Sequence, residues 1–177
     1  MKSKTNLVLS VKPFCRGFAF ALFEAPQSPT DWGVRDIRGK AKNALTLLGI
    51  KQIITQYQPD VLLLPAPEGR SERIRKLVRD IAALAIKQGI PAHTVTRADI
   101  RAAFATDLPG GGTAGRAFFK PTRYQIAQAI ANRFAFFAAQ LPPPRRFYDS
   151  EDARMSLFDA VSAAVSHYAG QKAGGGK

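Results

Sequence analysis

The hydrophobic pattern at the start of the chain has a short period. Residues 7–12 (LVLSVK) and 17–23 (GFAFALF) predict two strands joined by a tight turn, and the second is rich in Phe and alternates large with small residues. Residues 30–35 predict a short third strand after a loop that contains Pro and Ser. Three short consecutive strands indicate an antiparallel meander.

Beyond residue 40 the apolar spacing becomes helical. Apolar side chains recur at intervals of three and four over about residues 40–57 and again over about 71–87. Between these segments lies the continuous apolar run 61–65, typical of a strand buried on both faces, and residues 90–95 are the next strand candidate. Because strands and helices alternate here, we expect parallel strands joined by right-handed crossovers.

The last part of the chain is predicted to be mainly helical. A short helix at 97–105 precedes a Gly-rich loop at 108–115, which lacks the Gly-Lys-Ser/Thr ending of a phosphate-binding P-loop. A long helix follows over about 122–141, then a Pro-rich connector, then a final helix over about 150–169. We expect one domain over residues 1–170 and a disordered tail over 171–177.

Composition narrows the function class. Apolar residues make up 46% of the 177, which excludes a disordered protein, and the net charge of +13 with a pI near 10.4 favours a polyanionic partner, most often nucleic acid. The single cysteine, Cys15, excludes an internal disulfide and a cysteine zinc site. No apolar stretch approaches the length of a membrane span and no signal peptide is evident, so the expected compartment is the cytoplasm.

Three stretches of the chain carry a family resemblance. They are LSVKPFCRGF (9–18), VLLLP (61–65) and SLFDAVSAAVSH (156–167). Together with the order of elements, they resemble the RuvC branch of the RNase H superfamily, the Holliday-junction resolvases. The resemblance implies an α/β fold of RNase H-like (RuvC) type, in which helices flank a five-stranded mixed sheet. It also implies that the chain binds structured or branched nucleic acid, with DNA favoured over RNA.

The departures from the family pattern concern its metal site. Of four positions that hold carboxylates in active members, Lys12, Pro65 and Ser156 are replacements, and only Asp159 remains. Two-metal phosphodiester hydrolysis needs several carboxylates around its Mg²⁺ ions, and an ammonium group would repel such ions. We therefore expect a degenerate nuclease without metal or cofactor, in which Asp159 is a relic of the former metal site and forms an ion pair with Lys12.

Basic residues from separate segments are the expected nucleic-acid contacts. The resemblance places Arg123 where RuvC-like proteins have a phosphate-binding lysine. Phe118, Phe119 and Tyr124 are candidates for stacking on bases, with core packing as the alternative. The full set of predicted phosphate-binding residues is Arg70, Arg73, Arg75, Lys76, Arg79, Arg97, Arg101, Lys120 and Arg123.

Two other functions stay open. One is a divergent Mg²⁺-dependent endonuclease that recruits Glu68, Asp159 or an acidic residue from 149–152, although helix capping also explains that acidic run. The other is an interaction subunit whose charge serves an acidic protein. His93 and His167 show no metal-ligand spacing and are expected to be structural, and the family resemblance adds a homodimer as an option.

Overall fold

The computed structural model describes residues 6–66, 69, 71–108 and 120–174. Its centre is a five-stranded sheet with the order β3-β2-β1-β4-β5, in which β1–β3 are antiparallel and β1, β4 and β5 are parallel. The predicted five-stranded mixed sheet flanked by helices is therefore confirmed. The strands are β1 (Val8–Phe14), β2 (Gly17–Ala25), β3 (Ser28–Asp36), β4 (Val61–Pro65) and β5 (Ala92–Val95).

The first hairpin depends on one glycine. Gly17 follows the two-residue turn between β1 and β2 and has φ +140°, a conformation that side chains with a Cβ rarely adopt. A Cβ at this position would lie 1.9 Å from the carbonyl oxygen of Arg35 on β3. The turn therefore requires glycine, and it fixes the register in which Lys12 of β1 pairs with Ala19 of β2.

Six helices within the described residues cover the sheet. Helices α1 and α2 pack on one face of the sheet with one apolar cluster, and α3–α6 pack on the other face with a second cluster. No helix of the described residues combines the length and the apolarity that crossing a bilayer demands. The bounds are α1 (Lys42–Tyr57), α2 (Glu72–Lys87), α3 (Arg97–Phe104), α4 (Arg123–Arg133), α5 (Ala135–Ala138) and α6 (Arg154–Gly174).

Two of these helices begin with reciprocal hydrogen bonds. The Thr96 hydroxyl accepts the backbone N–H of Asp99, whose carboxylate accepts the N–H of Thr96. Thr122 and Gln125 form the same capping box at the start of α4. Each cap fixes the first residue of its helix, which in both cases is an arginine.

The predicted long helix at 122–141 is wrong, because α4 and α5 are separated at Phe134. This residue has φ −124° and ψ 104°, and its ring packs edge-on against Phe23 and Phe137 in the core. The break thus comes from core packing, since the local sequence has neither Gly nor Pro.

The final helix also differs from its predicted bounds. It begins at Arg154 instead of about 150, because the carboxylate of Asp152 accepts the Arg154 N–H at 2.9 Å while Asp149 is engaged in a preceding turn. The helix continues to Gly174, so residues 171–174, predicted as part of a disordered tail, are helical. The last three residues of that tail lie outside the described residues.

Candidate functional site

The candidate site is a cleft of about 590 Å³ at the carboxyl ends of β1 and β4. In β1 the residues Leu9 and Val11 face α1 and α2, so the alternation of the strand places Lys12 on the opposite side, under α6. Pro65 ends β4 on the same side, and α6 contributes Ser156 and Asp159. All four positions of the predicted former metal site therefore line one cleft.

A network of ion pairs lies at the floor of this cleft. The Nζ of Lys12 is 2.7 Å from Oδ2 of Asp159, so the predicted ion pair is present. Arg123, the first residue of α4, donates from Nε and Nη2 to the two carboxylate oxygens of Asp159 at 2.8 and 2.6 Å. A third nitrogen, Nη1, pairs with the carboxylate of Glu151. Two cations thus share two carboxylates, and the network is close to electrically neutral.

The network controls the protonation of Asp159. Burial by itself would raise the pKa of this carboxyl group, but the Lys12 ammonium and the Arg123 guanidinium outweigh it and hold the pKa below its usual range. Lys12 and Asp159 are only 13% and 17% exposed, so neither charge could remain there without its partner. Asp159 is therefore ionised at neutral pH and is a weak base.

The described residues of the cleft do not fit the magnesium ions that the RuvC-like pattern implies. Mg²⁺ prefers several oxygen ligands, and in this cleft both oxygens of Asp159 already accept bonds from cationic side chains. Pro65 supplies no side-chain oxygen, and Glu151 is bound to Arg123. Among the residues that the structure describes, no group of three or more His, Cys, Asp or Glu side chains could hold a metal ion.

Three other arginines line the same cleft. Arg97 and Arg101 lie one turn apart on α3, and Arg16 lies in the turn between β1 and β2. Within the described part of the chain, the guanidinium groups of these three arginines have no hydrogen-bond or ion-pair partner. Asp152, the third carboxylate at the rim, pairs with Arg154 at 2.7 Å. Among the described residues, the positive charge that Arg16, Arg97 and Arg101 bring to the cleft is therefore not balanced.

The predicted basic residues of α2 lie elsewhere. Arg75 and Arg79 pair with Glu72, and Lys76 approaches Asp80 at 4.0 Å, all on the exposed side of a helix that covers the other face of the sheet. None of these three cations lines the cleft. Their charges are partly balanced by neighbours on the same helix. Their role in binding nucleic acid stays a prediction.

Arg73 differs from the other basic residues of α2, because its side chain binds the turn between β1 and β2. Its guanidinium donates to the carbonyl oxygen of Cys15 at 2.9 Å and to the side chain of Asn43 at 2.6 Å. This structural contact joins α2, the β1–β2 turn and the region where α1 begins. Local sequence patterns do not predict this contact, since it spans 58 residues.

Several predicted residues add little to the site. Arg70, Glu68, Phe118 and Phe119 lie outside the described residues, as does most of the Gly-rich loop. Lys120 is exposed and does not line the cleft.

Tyr124 donates its hydroxyl to the carbonyl of Pro142 at 3.1 Å and packs against the core, so for this ring the structure supports the packing alternative. Of the acidic run 149–152, Asp152 binds the first N–H of α6 as capping predicted, whereas Glu151 binds Arg123.

The two histidines, far apart in sequence, are neighbours in space. The ring centroids of His93 on β5 and His167 on α6 are 6.0 Å apart. Burial lowers the pKa of His167, and the proximity of His93 lowers it further. His167 lies on α6 eight residues beyond Asp159, and neither histidine ring lines the cleft.

Comparison with solved structures identifies the fold. The chain is similar to Thermus thermophilus RuvC in complex with a Holliday junction substrate, with a TM-score of 0.65 and 12% identity over 95% of this chain and 96% of that one. It is equally similar to the Thermus thermophilus RuvC structure alone, at 0.65 and 11% with the same coverage. No family model and no curated protein matches the sequence. The chain therefore has the RuvC-type, RNase H-like fold.

Proposed function

We propose that this protein binds structured or branched nucleic acid, DNA in preference to RNA, through the cleft above Asp159, and that it does so without hydrolysis. The observation that carries the proposal is a group of three arginines, unpaired among the described residues, around a floor whose charges are already balanced. Such a surface attracts a polyanion, and the neutral floor leaves no vacant carboxylates for a metal ion.

Phosphate binding follows from the chemistry of Arg16, Arg97 and Arg101. A guanidinium group presents several N–H donors in one plane and matches two phosphate oxygens at once. Three such groups from different elements would hold successive phosphates and orient the strand across the cleft. Contacts of this kind carry little sequence information, so recognition would depend on the shape of the nucleic acid.

The ion-pair network at the floor of the cleft is also the reason why we expect no hydrolysis. Hydrolysis needs a group that activates water, and a general base works best when its pKa is close to the ambient pH. Asp159 is bonded to two cations and its pKa is lowered, which makes it a poor base and leaves its oxygens unavailable to a metal ion. Lys12 in this scheme replaces the metal as the permanent positive charge of the site.

Salt-dependent binding tests the proposal. Fluorescence anisotropy with a four-way junction, a duplex and a single strand would give affinities at several salt concentrations. Each phosphate contact contributes about 0.9 to the slope of log K against log salt on duplex DNA. The triple variant Arg16→Ala, Arg97→Ala, Arg101→Ala should lower that slope by roughly 2 to 3 and weaken binding to every substrate.

The basic side of α2 offers a control with the same change in net charge. Arg75→Ala, Lys76→Ala, Arg79→Ala also removes three cations, but from the other face of the sheet. This variant should retain most of the wild-type slope. An equal loss in both variants would show that binding depends on net charge alone and would contradict a role for the cleft.

The same experiment also tests the two other functions, the Mg²⁺-dependent endonuclease and the interaction subunit. Cleavage that requires Mg²⁺ or Mn²⁺ and disappears in Asp159→Ala would establish the nuclease. Wild-type protein that binds none of the three substrates at low salt would favour an interaction subunit with an acidic protein partner. The homodimer that the family resemblance implies belongs to the proposal as well, and light scattering at the concentrations of the binding assay would test it.

A further inference from the structure

Two aromatic side chains of the connector before α6 are strongly exposed to solvent. Phe147 is 101% exposed and Tyr148 is 77% exposed, the highest values among the large apolar side chains of the described residues. Both lie in the connector between α5 and α6, directly after Arg145 and Arg146. A side chain of this size in water needs an explanation, because burying a phenyl ring is worth about 2–3 kcal/mol and this ring forgoes it.

The rings are presented by a closed turn. The backbone N–H of Asp149 donates to the carbonyl of Arg146 at 3.1 Å, so Phe147 and Tyr148 occupy the two central positions of a β-turn. The Asp149 carboxylate accepts the N–H of Arg146 at 3.1 Å, and Arg145 donates to the Asp149 carbonyl at 2.8 Å. An Nη1 of Arg146 also lies 3.2 Å from the Tyr148 hydroxyl.

This turn has an unusual composition for its geometry. The central positions of β-turns are commonly Pro, Asn, Asp, Gly or Ser, which suit the backbone or bond to it. Two aromatic residues add nothing to such a turn, and the three hydrogen bonds that involve Asp149 already close it. The rings are therefore free to contact another molecule, and the hydrogen bonds reduce the entropy that binding would cost.

The chemistry around the rings points to one partner. Arg145 and Arg146 flank them, and the chain as a whole carries a net charge of +13. An exposed aromatic ring among arginines is the combination that binds single-stranded nucleic acid, since every base has a face that can stack and every nucleotide has a phosphate. An apolar protein groove would not require the adjacent cations.

We propose that Phe147, assisted by Tyr148, stacks on an unpaired base of the nucleic acid that the cleft holds. The inference rests on the proposed function, and it specifies that the substrate has unpaired bases near the bound phosphates. Phe147 is three residues before Ser150, which lines the cleft, so their Cα atoms are at most about 11 Å apart. That distance corresponds to about three nucleotides of one strand at the duplex spacing.

Oligonucleotides with and without bases test the stacking directly. The probes are a labelled single strand of about 20 nucleotides, longer than the site of a typical single domain, an abasic strand of the same length and charge, and a blunt duplex. Wild type should bind the single strand more tightly than the abasic strand. Phe147→Ala should weaken binding to the base-containing strand roughly fivefold to one hundredfold, the range measured for one stacked base.

The same substitution should leave binding to the abasic strand and the duplex almost unchanged. Phe147→Trp should retain the preference for bases, because it keeps an aromatic face. The matched control is Ile86→Ala, which removes an apolar side chain that is 64% exposed on the other side of the sheet and should change none of the three affinities.

The outcomes separate the inference from the proposed function. If wild type binds the duplex and the abasic strand but Phe147→Ala keeps the full preference for bases, the stacking role is wrong and nucleic-acid binding stands. If wild type binds none of the probes, the proposed function fails and the inference fails with it. If Phe147→Ala loses self-association or binding to lipid vesicles while its affinity for all three probes is unchanged, the rings contact a second copy of the chain or a lipid surface, and the stacking role is wrong.

Discussion

Removing the carboxylate of Asp159 should destabilise the protein strongly. Asp159→Asn keeps the size of the side chain but removes the carboxylate that the Lys12 ammonium and the Arg123 guanidinium share, so the two cations face each other across an uncharged amide. Breaking a buried ion pair by removing one partner costs about 3–5 kcal/mol. We expect about 3 kcal/mol, the low end, because Arg123 is 40% exposed and keeps Glu151.

The structure also predicts an asymmetry between the two partners. Lys12→Met removes one cation, yet Asp159 keeps both hydrogen bonds from Arg123. This variant should therefore lose less free energy of unfolding, about 1–2 kcal/mol. The two effects should not add, because they concern the same ion pair. In a Lys12→Met background, Asp159→Asn should reduce the free energy of unfolding by less than it does in wild type, with a difference of about 1 kcal/mol or more. Asp152→Asn is the control, since its carboxylate also binds an arginine but is 36% exposed and should change stability by about 1 kcal/mol or less.

Thermal and urea unfolding of the four variants gives these numbers. For a chain of this length each kcal/mol corresponds to about 2–4 °C in Tm, so Asp159→Asn should melt roughly 6–12 °C below wild type. An Asp159→Asn protein as stable as wild type would refute the reasoning. A Lys12→Met variant that is the more destabilised of the two would also refute it, because Asp159 would then not be the shared partner of two cations.

Further variants test the fold around the site. Gly17→Ala should cost about 2 kcal/mol or more in urea unfolding, because its Cβ would meet the Arg35 carbonyl, whereas Gly39→Ala, with φ +98° but open space, should cost less. His167 has a lowered pKa in the folded state, so the unfolded chain binds more protons and stability should fall as the pH drops below about 6.5. His167→Gln should flatten that part of the stability profile between pH 7 and 5, and an unchanged profile would contradict the assignment. Asp159, whose pKa is also lowered, should add a second loss below about pH 3.9.

The sheet and the floor of the site could be predicted from the sequence because both depend on local period. The two-residue period of a strand fixes which side of β1 holds Lys12, and the helical spacing of 156–167 fixes the side of α6 that holds Asp159. The family resemblance then suggested that these two positions meet. The ion pair between them is the consequence.

The remaining features depend on contacts that no local pattern encodes. Arg123 binds Asp159 and Glu151 because a capping box starts α4 beside α6, and Arg16 reaches the cleft because Gly17 closes the hairpin. The break at Phe134 arises from aromatic packing against β2. The sequence charge predicted that basic residues of α2 bind phosphate. The structure shows that Glu72 pairs with Arg75 and Asp80 with Lys76.

In the proposed function, the cleft binds nucleic acid with arginines instead of a metal ion. The most direct measurement is the affinity of wild type and of the Arg16→Ala, Arg97→Ala, Arg101→Ala variant for a four-way junction, in EDTA and in Mg²⁺, with the products examined for cleavage. We predict tight, salt-sensitive binding by wild type that persists in EDTA, a junction that stays intact in Mg²⁺, and a marked loss of affinity in the variant. Binding that requires Mg²⁺, or cleavage that Asp159→Asn abolishes, would contradict the proposal of metal-free binding without hydrolysis.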